Sequence, residues 1–300
     1  MSAPPLIFDR RLRRLRLERA LRGAPPDFLR MRVSEDLAER LSAVSRRFAR
    51  ALVIGPPWAA ADLRAALAGT PAADRVGEIV ALGLVAPASG PGLAIVADEE
   101  HLPFIEGGFD LVISSLALHA VNDVVGALIQ IRRALKPDGL FLGALLGGGS
   151  LTELRQSLMR GELAARGGSG PRVAPFIDAH DAAGLLQRAG FALPVADTDL
   201  LTVRYRQALT LMADLRALGE TNILHERPPV PLTRTALAET WRAYGNEHAD
   251  VEGRLLASFE IITLTGWAPH PDQPRPARRG SGKVSLTEAL RPQSEGEDRP

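Results

Sequence analysis

The stretch FDLVISSLALHAVNDVVGALIQIRRALKPDGLFLGALL, Phe109–Leu146, sets the fold. Phe109–Ser114 is a short apolar run of strand length, and Val124–Leu135 carries apolar residues at helical spacing. Pro137-Asp138-Gly139 stops that helix, and Leu140–Leu146 follows at once as a strongly apolar strand. Strand, helix and strand joined this tightly form the repeating unit of a parallel sheet buried on both faces.

The same alternation runs outward in both directions. Upstream, Asp27–Phe48 reads as a helix, Ala51–Ile54 as a strand, Ala59–Ala68 as a helix, and Gly77–Leu82 and Leu93–Val96 as strands. Downstream, Leu151–Ala165 is a helix, Ala179–Ala189 a helix ended by Gly190, and Phe191–Tyr205 extended. Gln207–Leu218 and Leu232–Tyr244 are helices, and RLLASFEIITLTGW, Arg254–Trp267, returns as a long strand expected at the sheet edge. The expected architecture is an α/β fold with a mostly parallel sheet and helices on both faces. An N-terminal arm and lid helix occupies residues 1–48, the main domain residues 49–267 with a helical insertion at about 206–250, and an extended or disordered tail residues 268–300.

Composition narrows the function. The 300-residue chain is 46% hydrophobic and 24% charged, as an ordinary globular protein is, and no run of eighteen apolar residues offers a membrane span. A net charge of +1 argues against a dominant nucleic-acid surface. Cysteine is absent, which removes disulfides, thiolate nucleophiles and cysteine-held metals, and fits a reducing compartment. Seven arginines crowd FDRRLRRLRLERALRG, Phe8–Gly23. An organelle-targeting helix has that character, but Asp9 and Glu18 interrupt the charge, and a solvated arm or lid helix is the stronger reading. The expected location is the bacterial cytoplasm, or the mitochondrial matrix if the source is eukaryotic.

In open α/β sheets ligands sit beyond the carboxyl ends of the strands. The residues found there are Gly55-Pro56-Pro57-Trp58, Gly83, Ala97-Asp98-Glu99-Glu100 and Ser114-Ser115-Leu116-Ala117-Leu118-His119, with polar groups concentrated in the last two. No His-Glu-x-x-His, Gly-x-Ser-x-Gly or glycine-rich phosphate loop occurs, so a metal or nucleophilic hydrolase is disfavoured.

The run VADEEHLPF…FDLVISSLALHAVND…LIQIRRALKPDG resembles the core of class I S-adenosylmethionine-dependent methyltransferases. IFDR (Ile7–Arg10), ELRQSL (Glu153–Leu158), QRAGF (Gln187–Phe191) and the tail Arg275–Ser285 extend the resemblance to the branch containing the biotin-synthesis methyltransferase and the mitochondrial complex I assembly factor 5. It implies a seven-stranded sheet, an N-terminal helix folded over the pocket, and S-adenosylmethionine held near Gly55, Asp98, Glu99, Ser114, Ser115 and His119. Asp98 would face the adenine amine with the Glu99 backbone nearby, and Ser114, Ser115 and His119 would lie toward the methionine end or the substrate. It also implies a respiratory complex I subunit as partner. No catalytic residue and no metal ligand is assigned.

Two departures from the family pattern stand out. Its glycine-rich first loop is replaced by VIGPPWAA, where only Gly55 survives, Pro56 and Pro57 remove two amide donors, and Trp58 brings a ring to where the cofactor's amino-acid end would rest. The acidic residue expected after the second strand to hold the ribose is Leu82-Gly83. Three readings follow: a methyltransferase with an altered pocket, an arginine hydroxylase acting on a complex I subunit, and a non-enzymatic descendant that binds a protein partner. The second would use a His-x-Asp iron set. That spacing occurs at His248-Ala249-Asp250 and His270-Pro271-Asp272, in both cases away from the strand ends, where chance is the plainer account.

Overall fold

A computed structural model describes residues 6–87, 92–274 and 285. The chain divides into two units, Met1–Pro269 and His270–Pro300, and the fold lies in the first. Residues 275–300, Ser285 apart, lie outside the described part, and with them the tail motif and most of the expected tail.

Seven strands form one sheet in the order β3-β2-β1-β4-β5-β7-β6. They are β1 (Phe48–Ile54), β2 (Val76–Gly83), β3 (Ala94–Val96), β4 (Phe109–Ser115), β5 (Leu135–Leu146), β6 (Ala192–Tyr205) and β7 (Leu255–Trp267). The first five run parallel, and β7 is antiparallel to both β5 and β6. The last strand is therefore internal and β6 holds the edge, which corrects the expectation that the final strand closes the sheet. The burial pattern gives the reason. Every second residue of β6 is solvent-exposed along much of its length, whereas Ala257, Phe259, Ile261, Ile262 and Leu264 of β7 are buried.

Among the described residues eight α-helices accompany the strands: α1 (Arg10–Ala20), α2 (Asp27–Ala43), α3 (Ala59–Leu67), α4 (Val124–Ala134), α5 (Thr152–Arg166), α6 (Ala179–Arg188), α7 (Ala208–Ala217) and α8 (Arg234–His248). Alternation along β1 shows how the sheet splits the core. Ala51 and Val53 join a cluster with α2, α3, α5, α7 and α8, while Leu52 and Ile54 join α4 and α6 on the other face. The expected helix Asp27–Phe48 stops at Ala43, because Phe48 already pairs with Val76 in the sheet. Lys136-Pro137-Asp138-Gly139 is not a separate turn after the helix: Leu135 pairs with Phe109, a bulge follows, and Asp138 takes a left-handed φ of 61° within β5. The last helix of the insertion runs four residues past Tyr244 to His248.

Candidate functional site

The carboxyl ends of β1 to β5 converge on one crevice, and the N-terminal arm is strapped over it. Ile7 and Phe8 donate their backbone N–H groups to Asn122 Oδ1 at 2.8 Å each, and Asp9 N donates to the Ile223 carbonyl at 2.8 Å. The arm is thus tied both to the loop after β4 and to the insertion between β6 and β7.

The half beyond β1 and β2 is filled. Gly55, Pro56 and Pro57 are buried, and the space they enclose with Leu82, Gly83 and Val85 is about 10 Å³, room for about one water. Trp58 packs against the core cluster under α2 and α3. Gly55 is required by close packing: a Cβ there would stand 2.6 Å from the Ser115 carbonyl oxygen. A Cβ on Gly83 would in turn strike the Gly55 carbonyl. Gly55, expected near the cofactor, and Gly83, which stands where the ribose-holding carboxylate is missing, thus both have a packing role.

Beyond β3 the chain places three carboxylates together. Asp98 closes a turn by accepting from Glu100 N at 3.0 Å, and Gln130 of α4 clamps the loop by donating to the Glu100 carbonyl at 2.7 Å and accepting from Leu102 N at 2.9 Å. Into this cluster comes Arg10. Its Nη2 meets Asp98 Oδ1 at 2.7 Å and also Glu99 Oε2, its Nε stands 3.8 Å from Glu100 Oε1, and its Nη1 donates to the Ala120 carbonyl at 2.7 Å. Sequence reasoning placed the Glu99 backbone at the ligand; it is the Glu99 side chain, 6% exposed, that turns inward. Burial pushes the Glu99 carboxyl above the usual carboxylate range, with Arg10 opposing. Asp98, also pushed up by burial, is held below that range by its Arg10 hydrogen bond. Three carboxylates share one guanidinium, so the cluster is acidic on balance.

The half beyond β4 and β5 is open. Leu116 leaves β4 with a left-handed φ of 50°, a strained turn for a branched side chain, and the short 3₁₀ turn Leu118–Ala120 then buries His119. His119 lies at the wall of a cavity of about 220 Å³ lined by Phe8, Leu146, Leu158, Phe176, Met212 and Leu232 among others. Its Nε2 is 3.2 Å from Glu220 Oε2, and Glu220 Oε1 takes Arg13 Nη2 at 2.7 Å. Burial pushes the Glu220 carboxyl up, but Arg13 and His119 outweigh it and hold it at about 2. Among the described residues His119 Nδ1 and Ser114 Oγ are buried without hydrogen-bond partners, and Ser115 is buried next to Ser114 in sequence.

Arg10, Arg13, Asn122 and Glu220 were not singled out as site residues from the sequence. Arg10 stood within IFDR and Asn122 within SSLALHAVND, but Glu220 lies in an insertion with no motif. The arginine run is also not uniformly solvated, since Arg13 is 3% exposed. The two His-x-Asp pairs build no centre. Asp250 is held by Arg204, Asp272 N donates to His270 Nδ1 within a local turn, and among the described residues no three His, Asp or Glu side chains converge in a metal-holding group.

Comparison with known proteins follows the same lines. Residues 79–143 match the methyltransferase domain family. The YcgJ protein of Bacillus subtilis superposes with a TM-score of 0.52 at 14% identity, covering 79% of this chain and 98% of that one, a likeness of fold. Malonyl-[acyl-carrier protein] O-methyltransferase of Laribacter hongkongensis is 37% identical over 58% of this chain and 56% of its own. Mitochondrial arginine-hydroxylase NDUFAF5 of Mus musculus is 39% identical over 292 residues, 94% of this chain and 83% of that protein. Sheet order and domain match define a class I S-adenosylmethionine-dependent methyltransferase fold. Within that class the chain belongs to the NDUFAF5 arginine-hydroxylase family.

Proposed function

We propose that this protein acts on an arginine side chain of a protein partner, a respiratory complex subunit, and that its binding of S-adenosylmethionine is impaired. The observation that carries the reading is the acceptor cluster of Asp98, Glu99, Glu100 and the Ala120 carbonyl, which already accommodates a guanidinium, that of Arg10. A planar fork of N–H donors needs several converging oxygens, and few sites supply three carboxylates and a carbonyl together. The arm's arginine then holds the place of the substrate arginine until the arm yields.

The implied cofactor fits poorly. The turn after β1 is buried with room for about one water, its two prolines offer no amide donors, the ribose-holding carboxylate is absent at Leu82-Gly83, and Asp98 is engaged by Arg10. No reaction step is therefore routed through it, nor through an iron centre. The relatives' printed name places them in mitochondria; by the same reading this chain works in the matrix, or in the cytoplasm of a bacterium.

A second reading, a methyltransferase-fold protein that acts only by binding a partner, is favoured by the same filled crevice. One experiment separates the two. Wild type and Arg10→Ala are titrated with a short blocked peptide containing arginine and with its lysine and citrulline counterparts, and each peptide's mass is followed in cell extract. Binding of the arginine peptide alone, strengthened in the variant, with a gain of one oxygen supports the proposal. Binding without a mass change supports the second reading, a gain of one methylene supports ordinary methyl transfer, and equal binding of all three peptides sinks the acceptor-cluster assignment.

A further inference from the structure

The cavity beside His119 has a mouth whose charge does not match an arginine substrate. Arg216 of α7 lines it, is solvent-exposed, and its side chain makes no ion pair or hydrogen bond among the described residues. Arg19 of α1 reaches across with Nη2 3.3 Å from Oγ1 of Thr221, another lining residue, and Arg16 lies one turn earlier on the same helix. The Nε atoms of Arg16 and Arg19 are buried without partners among the described residues. None of the three has a carboxylate counter-ion among the described residues: the nearby Glu220 is taken by Arg13 and His119, and Glu18 pairs with Arg14. Burial and the like charges of Arg16 and Arg216 pull the Arg19 guanidinium below its ordinary range. Three uncompensated cations repel one another, and an anion placed among them relieves that repulsion with charge-assisted hydrogen bonds.

Behind this mouth the lining is mostly apolar, with the Arg172–Glu162 pair, the Glu220–Arg13 pair, Thr221 and Asn222 as its other polar members, and His119, with only 2% of its side chain exposed, has no partner for Nδ1 among the described residues. A buried polar atom in that state costs free energy that a ligand's donor or acceptor would recover. Mostly apolar walls, one unsatisfied polar atom and a cationic rim together select for a molecule with an apolar body and an anionic head.

We propose that this cavity binds an anionic amphiphile, a carboxylate- or phosphate-headed molecule whose head rests on Arg16, Arg19 and Arg216 and whose body lies between Phe8, Phe176, Met212 and Leu232. The cavity adjoins the acceptor cluster around Arg10, sharing Ala120 with it, but the proposal does not depend on the reading given to that cluster.

The test is calorimetric titration of the full chain with decanoate, decyl phosphate, decyltrimethylammonium and inorganic phosphate. Decanoate or decyl phosphate is expected to bind at least about tenfold more tightly than decyltrimethylammonium, and the tighter of the two anions identifies the head group. Arg216→Glu is expected to weaken that anion by about tenfold or more while leaving the melting temperature unchanged, because the side chain is exposed and unpaired. Met212→Trp, which adds bulk at the cavity wall while keeping all three rim arginines, is expected to weaken it as well. Equal binding of the cationic and anionic amphiphiles, binding of inorganic phosphate as tight as decyl phosphate, or no binding of either anion would each overturn the proposal.

Discussion

The two halves of the crevice are built from the same sheet and have opposite fates. Beyond β1 and β2, two prolines and two close-packed glycines border a space of only about 10 Å³, whereas beyond β4 and β5 the chain leaves about 220 Å³ with a buried histidine at its wall. Between them stands the arm, whose Arg10 plugs the acidic cluster and whose Arg13 braces Glu220. One sheet topology thus carries a closely packed half and an open half of the same crevice. Strand order depends on apolar patterning, which both halves retain, and ligand binding depends on a few loop residues, which only one half keeps open.

Removing the braces should hurt most. Glu220→Gln leaves buried Arg13 without its carboxylate, and a loss of about 3–5 kcal/mol in denaturant unfolding is expected. The wild type gives the same answer by pH. Glu220 sits at about 2 in the folded protein against an ordinary 4.5, so its stabilisation is present above 4.5 and is lost as pH falls from 4.5 toward 2, on the order of 3 kcal/mol in all. Acid unfolding of wild type that matched Glu220→Gln over that window would show that the brace contributes nothing.

Gly55→Ala strikes the filled half. With its Cβ 2.6 Å from the Ser115 carbonyl, β1 or the end of β4 must shift, and about 1–3 kcal/mol of destabilisation is expected from thermal unfolding. A neutral result would mean that the turn after β1 yields easily and is no core. Where α5 packs on α8 of the insertion, a Cβ at Gly161 of α5 would run into Thr240 and the Ala236 carbonyl. Gly161→Ala should therefore disturb decyl phosphate binding in the open half while leaving the filled half's tryptophan environment, reported by Trp58 fluorescence in a protein lacking the other two tryptophans, unchanged. The smallest effect is expected from repair. Replacing Pro56, Pro57 and Ala59 with the family's Gly-Cys-Gly-x-Gly arrangement, together with Leu82→Asp, should raise S-adenosylmethionine affinity only modestly while Arg10 remains in place; a large gain would mean that the loop alone closes the site.

What the sequence made legible follows from where the information resides. Hydrophobic alternation gave the strands of the parallel core to within a few residues, because Leu52, Val53 and Ile54 must all be buried whatever binds above them. The position of β7 was not legible, since antiparallel insertion and edge pairing demand similar residues, and only the exposed residues of β6 separate them. Asp98, Glu99, Ser114, Ser115 and His119 could be singled out because they lie at or just beyond strand ends. Glu220 and the rim arginines were not, because their meeting is a long-range contact, Arg13 with Glu220 being 207 positions apart. The damage at Pro56-Pro57 was visible in the chain, but that Arg10 occupies Asp98 was not, because IFDR carries no periodic or spacing signal that names its partner.

The central claim is that the cofactor half of the crevice has been closed. Calorimetric titration of the purified chain with S-adenosylmethionine and S-adenosylhomocysteine, beside Arg10→Ala and Asp98→Ala, tests it most directly. The account predicts no binding to wild type at millimolar ligand and at most weak binding once Arg10 is removed. Micromolar binding to wild type that disappears in Asp98→Ala would contradict it, and would mean that the arm opens and the proline turn has been rebuilt around a working cofactor site.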